Sequence, residues 1–159
     1  MPCNLYGTED NFDLQSSHVL PALMRKAVEA RRSGAASMEV WGTGTPRREL
    51  LHADDLAAAV IFLLALDEVT FGKLLHAEEP PLVNIGTGED VSIRELAELI
   101  SGVVGFEGEL VFDPSKPDGT PRKLMDISKM HGLGWHHRIS LEDGIGRVYE
   151  AVRARLQAE

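Results

Sequence analysis

One cysteine, Cys3, is all that this chain of 159 residues carries, and that scarcity removes a class of answers. No intramolecular disulfide framework can form, and a lone thiol fits a reducing cytosol. At this position it reads as a small, buried strand residue. Long apolar runs are lacking too. The longest, residues 56–66, is too short to span a bilayer and reads as a buried helix, so no membrane partner is expected. No basic-then-apolar signal peptide opens the sequence, and a cytoplasmic location follows as the expectation. Positive charge is in deficit, with 16 Lys and Arg against 25 Asp and Glu, a net charge of −9 and a pI near 5.1. That balance argues against nucleic acid as a partner. Of the six histidines only His136 and His137 are neighbours, and no cysteine pair accompanies them, so no metal site is expected. A G-x-S-x-G elbow is absent, which removes one class of serine hydrolase. Two G-T-G triplets, at 42–44 and 86–88, lack the third glycine of a dinucleotide-binding turn and read as ordinary turns.

What is present is an alternation of strand and helix signals. "MPCNLYG" has the pattern of a strand end entering a glycine turn, and "TEDNFDLQSS" is a polar connector long enough to carry function. A helix is expected over 18–32, its apolar face made by Val19, Leu20, Leu23, Ala27 and Val28. "MEVWG" is a short strand closed by the turn "GTGTP"; "ELLH" is another, followed by a helix to about residue 66 that Asp54 or Asp55 caps. Residues 67–81 read as an acidic, proline-ended loop. "PLVNIG" is a strand, and Ser92 with Glu95 forms a capping box that opens the next helix. "ELVFD" gives a strand, and Ser140 with Asp143 resembles a second, less ideal box before the last helix. The class is α/β, at about one domain.

The charges are unevenly spread. Residues 50–110 hold twelve acids and two bases, Lys73 and Arg94, whereas nine of the cations fall in three short stretches. These are Arg25-Lys26 with Arg31-Arg32, Arg47-Arg48, and Lys116 with Arg122-Lys123. Brought together, they would make a local anion site inside an acidic protein; left apart, they are solvated faces. The last stretch, "KPDGTPRK", also spends two prolines and a glycine on fixing its backbone.

Taken in order, "NLYG", "DNF", "SSHVLPAL", "VWGTGTPRRELLHADD", "NIGTGEDVSIRELAELI" and "VFDPSKPDGTPRKLMD" closely resemble the bacterial GDP-L-fucose synthases. These are epimerase-reductases of the extended short-chain dehydrogenase/reductase family. The likeness runs over residues 2–149. Sister nucleotide-sugar enzymes share the R-x-x-x-H-x-D-D region, Arg48 to Asp55, and the combination of "DNF…SSHV" with "KPDGTPRK" is the specific part. The resemblance implies a C-terminal, substrate-binding part of such an enzyme, with the N-terminal Rossmann half absent. It assigns residues 1–159 to a GDP-sugar-binding domain, with the last strand and loop of the NADP-binding domain at 1–17. Tyr6 and Tyr149 are followed four residues later by Asp10 and Arg153, so the family's Y-x-x-x-K pair is missing. The chain is therefore expected to be a fragment, inactive alone.

The family's reaction inverts C3 and C5 of GDP-4-keto-6-deoxymannose and reduces C4 with NADPH. By resemblance His18 is the proton-returning acid, a role that suits an imidazole; without the family it reads as a helix-start histidine satisfied by the preceding serines. The resemblance places GDP-sugar contacts at Lys26, Trp41, Arg48 and Asp118, and NADP contacts at Pro2, Cys3, Asn4, Leu5 and His18, with NADP held mainly by the absent half. Arginine is commoner at the position of Lys26. A homodimer is implied for the full-length family. Two other readings remain open: another nucleotide-sugar epimerase or dehydratase, and a standalone, non-catalytic nucleotide-sugar-binding module.

Overall fold

The protein is described here from a computed structural model that covers residues 1–75 and 80–158. Its strands pair in three small sheets. In the first, β1 (Asn4–Tyr6) runs parallel to β4 (Leu50–His52), and an isolated parallel bridge joins Pro2 to Ile85. In the second, β2 (Ser37–Trp41) runs parallel to β6 (Glu109–Asp113) in register from Ser37 with Glu109 to Trp41 with Asp113. In the third, β3 (Arg47–Arg48) lies between β5 (Val91–Ser92), antiparallel, and β7 (Arg122–Lys123), parallel. Parallel neighbours need crossover connections, and helices supply them.

The expected helices form for the reasons read from the sequence. Helix α1 (Val19–Ser33) buries Leu20, Leu23, Ala27 and Val28, and adds Met24. It ends on Gly34 in the left-handed conformation, φ 64°. Helix α4 (Ile93–Val104) opens on the reciprocal box: Ser92 accepts from the Glu95 N–H while Glu95 accepts from the Ser92 N–H. At the start of α6 (Leu141–Ala158) Ser140 accepts from the Asp143 N–H at 3.1 Å and donates its own hydroxyl to the Asp143 carboxylate. These three helices pack on one another and on β2 to form the larger core, centred on Met24, Leu96, Ile100 and Ile145. A smaller cluster of Leu51, Ala59, Ile85, Met130 and Trp135 lies beneath α2 (Ala53–Leu64) and the short helix α5 (Ser128–Gly132).

Several local expectations are corrected. Helix α2 is capped by His52, whose Nδ1 accepts from the Asp54 N–H at 3.2 Å. Asp54 and Asp55 fall in the first turn instead. The apolar run is not a buried helix: Val60, Ile61 and Leu64 are 44, 67 and 77% exposed, because only one side of α2 meets the small cluster. A run that is apolar all round cannot announce which side is covered. "PLVNIG" forms the bridge at Ile85 rather than a strand. Within the expected acidic loop, Asp67 caps α3 (Glu68–Gly72); residues 76–79 of that loop lie outside the described residues. No helix among the described residues is long and apolar enough to cross a membrane.

The first sheet also corrects the expected architecture. Residues 1–86 contain the parallel pairing of β1 with β4 and, just before β1, the parallel bridge of Pro2 with Ile85. Parallel strands joined by a helical crossover are the unit from which doubly wound nucleotide-binding sheets are built.

Candidate functional site

The third sheet sorts the cations. Side chains alternate along a strand, so Arg47 and Arg48 on β3 point to opposite faces. The parallel register sets Arg47 beside Arg122 and Arg48 beside Lys123. On one face Asp90 takes both arginines: Arg47 Nε donates to Oδ1 at 2.7 Å and Arg122 Nε donates to Oδ2. Arg47 also reaches Glu95 at 3.3 Å. Those hydrogen bonds, Arg122 first and Arg47 second, hold the Asp90 carboxyl below the usual range. This half of the charge is neutralised. On the other face Arg48 and Lys123 line a chamber of about 920 Å³, with His18, Arg147, His52 and the strand end Cys3, Asn4 and Leu5.

A second chamber, about 260 Å³, lies next to the first and is lined by Lys26, Trp41, Pro117 and Asp118 among others. Arg48 and Val19 belong to both linings. Trp41, 57% exposed, is fixed by its Nε1 donating to Glu39 Oε1 at 2.9 Å. Lys26 Nζ lies 5.0 Å and Lys116 Nζ 5.5 Å from the indole centroid, so both ammonium groups are within cation–π reach of the ring. Partial burial lowers the Lys26 pKa, with Glu39 opposing. The four residues expected to meet a GDP-sugar therefore stand around one space.

His18 is the N-cap residue of α1, extended at φ −70° and ψ 168°, and its imidazole makes no capping bond. The expectation that the preceding serines satisfy it, absent the family, is not met, and the exposed ring is left on the larger chamber. Of the expected cofactor contacts, Cys3, Asn4 and Leu5 line the same chamber, whereas Pro2 lies outside the lining. Burial, and then the nearby Glu49 charge, pushes the Cys3 thiol up to about 12, so it is neutral near pH 7.

Not all the cations converge. Arg31 donates to the Val104 carbonyl at 2.6 Å and Arg32 to the Gln157 carbonyl at 2.8 Å, which ties α1 to α4 and α6 far from the chambers. Sequence reasoning also missed residues. Glu49, fully buried, accepts from the N–H groups of Gly88 and Met125 at 2.8 and 2.9 Å. Its carboxylate thereby ties together the segments at Gly88 and Met125, and nothing in "RREL" marks it. Asp55, 3% exposed, accepts from the N–H of Ile139 at 2.9 Å and from that of Arg138; the sequence had cast it as a possible cap. No group of three or more metal-ligating side chains occurs among the described residues.

The comparisons with known proteins bear on this geometry. The sequence model of the NAD dependent epimerase/dehydratase family matches residues 1–86, more than half of the chain. The chain belongs to that family. It is 56% identical over 150 residues to GDP-L-fucose synthase 1 of Arabidopsis thaliana, covering 94% of this chain and 43% of the relative. Against the GDP-L-fucose synthase of Escherichia coli K12 it is 52% identical over 152 residues, covering 94% and 46%. The chain thus spans less than half the length of these curated relatives. Among solved structures it is similar to a GDP-mannoheptose C4 reductase from Campylobacter jejuni with NADP bound. There the identity is 38%, the TM-score 0.80, and the coverage 96% of this chain and 51% of that one. The resemblance to GDP-L-fucose synthases is borne out. The description as a C-terminal part with the Rossmann half absent is overturned, because the NAD-dependent family's own domain begins the chain, where the parallel strands lie.

Proposed function

We propose that the chain carries the GDP-sugar site of an NADP-dependent epimerase/reductase of the GDP-L-fucose synthase kind. The observation that carries this reading is Arg48 at the junction of the two chambers. A diphosphate is the ligand group a planar, permanently charged guanidinium suits best. With the diphosphate at Arg48 and Lys123, the nucleotide extends into the Trp41 chamber, where the indole and Lys26 flank the base and ribose. The sugar then enters the larger chamber, beside His18. A keto-sugar loses protons readily at the carbons next to its ketone, C3 and C5, and His18 is positioned to return them through its imidazole.

The strand end also fits a nicotinamide. Asn4 offers a side chain whose Nδ2 is already anchored on the Glu49 carbonyl at 2.8 Å, and the neutral thiol of Cys3 and the apolar Leu5 put no charge against the ring. Bound there, NADPH supplies the hydride that reduces C4. On this reading the cofactor lies along the strand end at Cys3, Asn4 and Leu5, and the GDP-sugar along Lys26, Trp41 and Arg48.

The test is calorimetric titration of the 159-residue chain with GDP and with UDP. GDP is expected to bind at least about tenfold more tightly, the discrimination available when a site hydrogen-bonds one base and leaves polar groups unpaired against the other. Equal affinity would favour a different nucleotide-sugar enzyme, and no binding would remove the proposal.

A further inference from the structure

Asp118 is already occupied. Its Oδ1 accepts from the Thr43 N–H at 2.7 Å and its Oδ2 from the Thr43 hydroxyl at 2.8 Å. Thr43 is exposed and lines neither chamber, so whatever it does for a ligand it does through Asp118. Its hydroxyl is oriented in turn by Thr45, 2.8 Å away. Gly42 makes the approach possible: at φ 82° it turns the chain in the left-handed region, and a Cβ there would fall into the Asp118 carboxylate. The far end of the same loop is held separately, by Arg48 Nη1 donating to the Thr120 carbonyl at 2.7 Å. That end is also held where the Pro121 carbonyl accepts from the Arg47 N–H at 2.8 Å, so on the Asp118 side the bonds to Thr43 fasten residues 114–121, and Pro117 and Asp118 form part of the smaller chamber's lining.

We infer that Thr43 is a positioning residue for the nucleotide: its paired bonds to Asp118 latch the 114–121 loop in place as one wall of the Trp41 chamber. The inference rests on the nucleotide reading of that chamber. A wall held before the ligand arrives spares the entropy of ordering it on binding. The arrangement also makes Asp118 a strut, its carboxylate held on the 42–45 turn.

Thr43→Val keeps the size and the backbone N–H but deletes the hydroxyl donor; Thr43→Ser keeps the donor. In the 159-residue chain, Thr43→Val is expected to raise the GDP dissociation constant about tenfold, the value of one hydrogen bond to a charged group. The thermal midpoint should hold, and Thr43→Ser should match the parent. Independently of any ligand, ¹⁵N order parameters for residues 114–121 should fall from near 0.85 in the parent to below about 0.6 in Thr43→Val. Unchanged order parameters would overturn the latch. Looser order with unchanged GDP affinity, in a parent that binds GDP, would overturn its role in binding. A parent that binds no GDP would defeat the nucleotide reading itself, with the order parameters still deciding whether the latch exists.

Discussion

In a full-length enzyme carrying this chain, His18→Gln is expected to slow exchange of solvent deuterium into C3 and C5 of the keto-sugar by about 10²-fold or more. GDP affinity should stay where it was. Glutamine has related size and polarity but cannot titrate near neutral pH, so it removes the proton transfer and little else. His18 occupies an extended N-cap position, makes no capping bond and faces the larger chamber, so replacing it breaks no bond on which α1 depends. The cations proposed for the diphosphate, Arg48 and Lys123, lie on the third sheet and not on α1. An NMR time course in heavy water, run beside a GDP titration, reads both quantities. Unchanged exchange would return His18 to a structural role, and lost GDP affinity would show that the substitution had disturbed the fold.

The second large effect is expected at Arg48. Arg48→Lys keeps the charge and loses the fork, and should weaken GDP binding by about 1.5–3 kcal/mol, the range for a hydrogen bond to a charged group. Part of that loss comes through the loop, because Arg48 also holds the Thr120 carbonyl. Arg32→Lys serves as the control, since Arg32 is tied to the Gln157 carbonyl and lines neither chamber. Equal effects of the two substitutions in a GDP titration would mean that the diphosphate sits elsewhere.

How far the sequence could be read depended on the range of the interaction. Helix α4 was legible because its capping box lies within four residues, and α1 because its apolar face repeats at helical spacing. The cap of α2 was misread because His52 competes with two adjacent aspartates, and only the backbone angle at His52 decides. The cation stretches show the same limit at long range. Arg47 and Arg122 are silenced by Asp90, distant from both in sequence, and Arg31 and Arg32 are spent on helix ends. Arg48 and Lys123 escape only because strand alternation turns them the other way. The positions of Lys26, Trp41, Arg48 and Asp118 came from the family likeness, and the fold brings them around one chamber. Thr43 and Glu49 carried no signal: one stood inside a turn read as a turn, the other beside two arginines that drew attention away from it. The assignment to a part without the Rossmann half failed for a related reason: the strands at "NLY" and "ELLH" were legible, but their parallel pairing across more than forty residues, and the bridge from Pro2 to Ile85, are long-range contacts that no local pattern announces.

The central claim is that a nucleotide occupies the Trp41 chamber with its diphosphate at Arg48. Amide and indole chemical-shift mapping of the ¹⁵N-labelled chain during a GDP titration tests it most directly. The account predicts saturable shifts at the Trp41 indole N–H, around Lys26 and Arg48, and along residues 116–120, with the Trp135 indole, buried in the smaller core cluster, unmoved. Shifts centred elsewhere, such as the Arg31–Tyr149 side of α1, or no saturable shift at all, would contradict it.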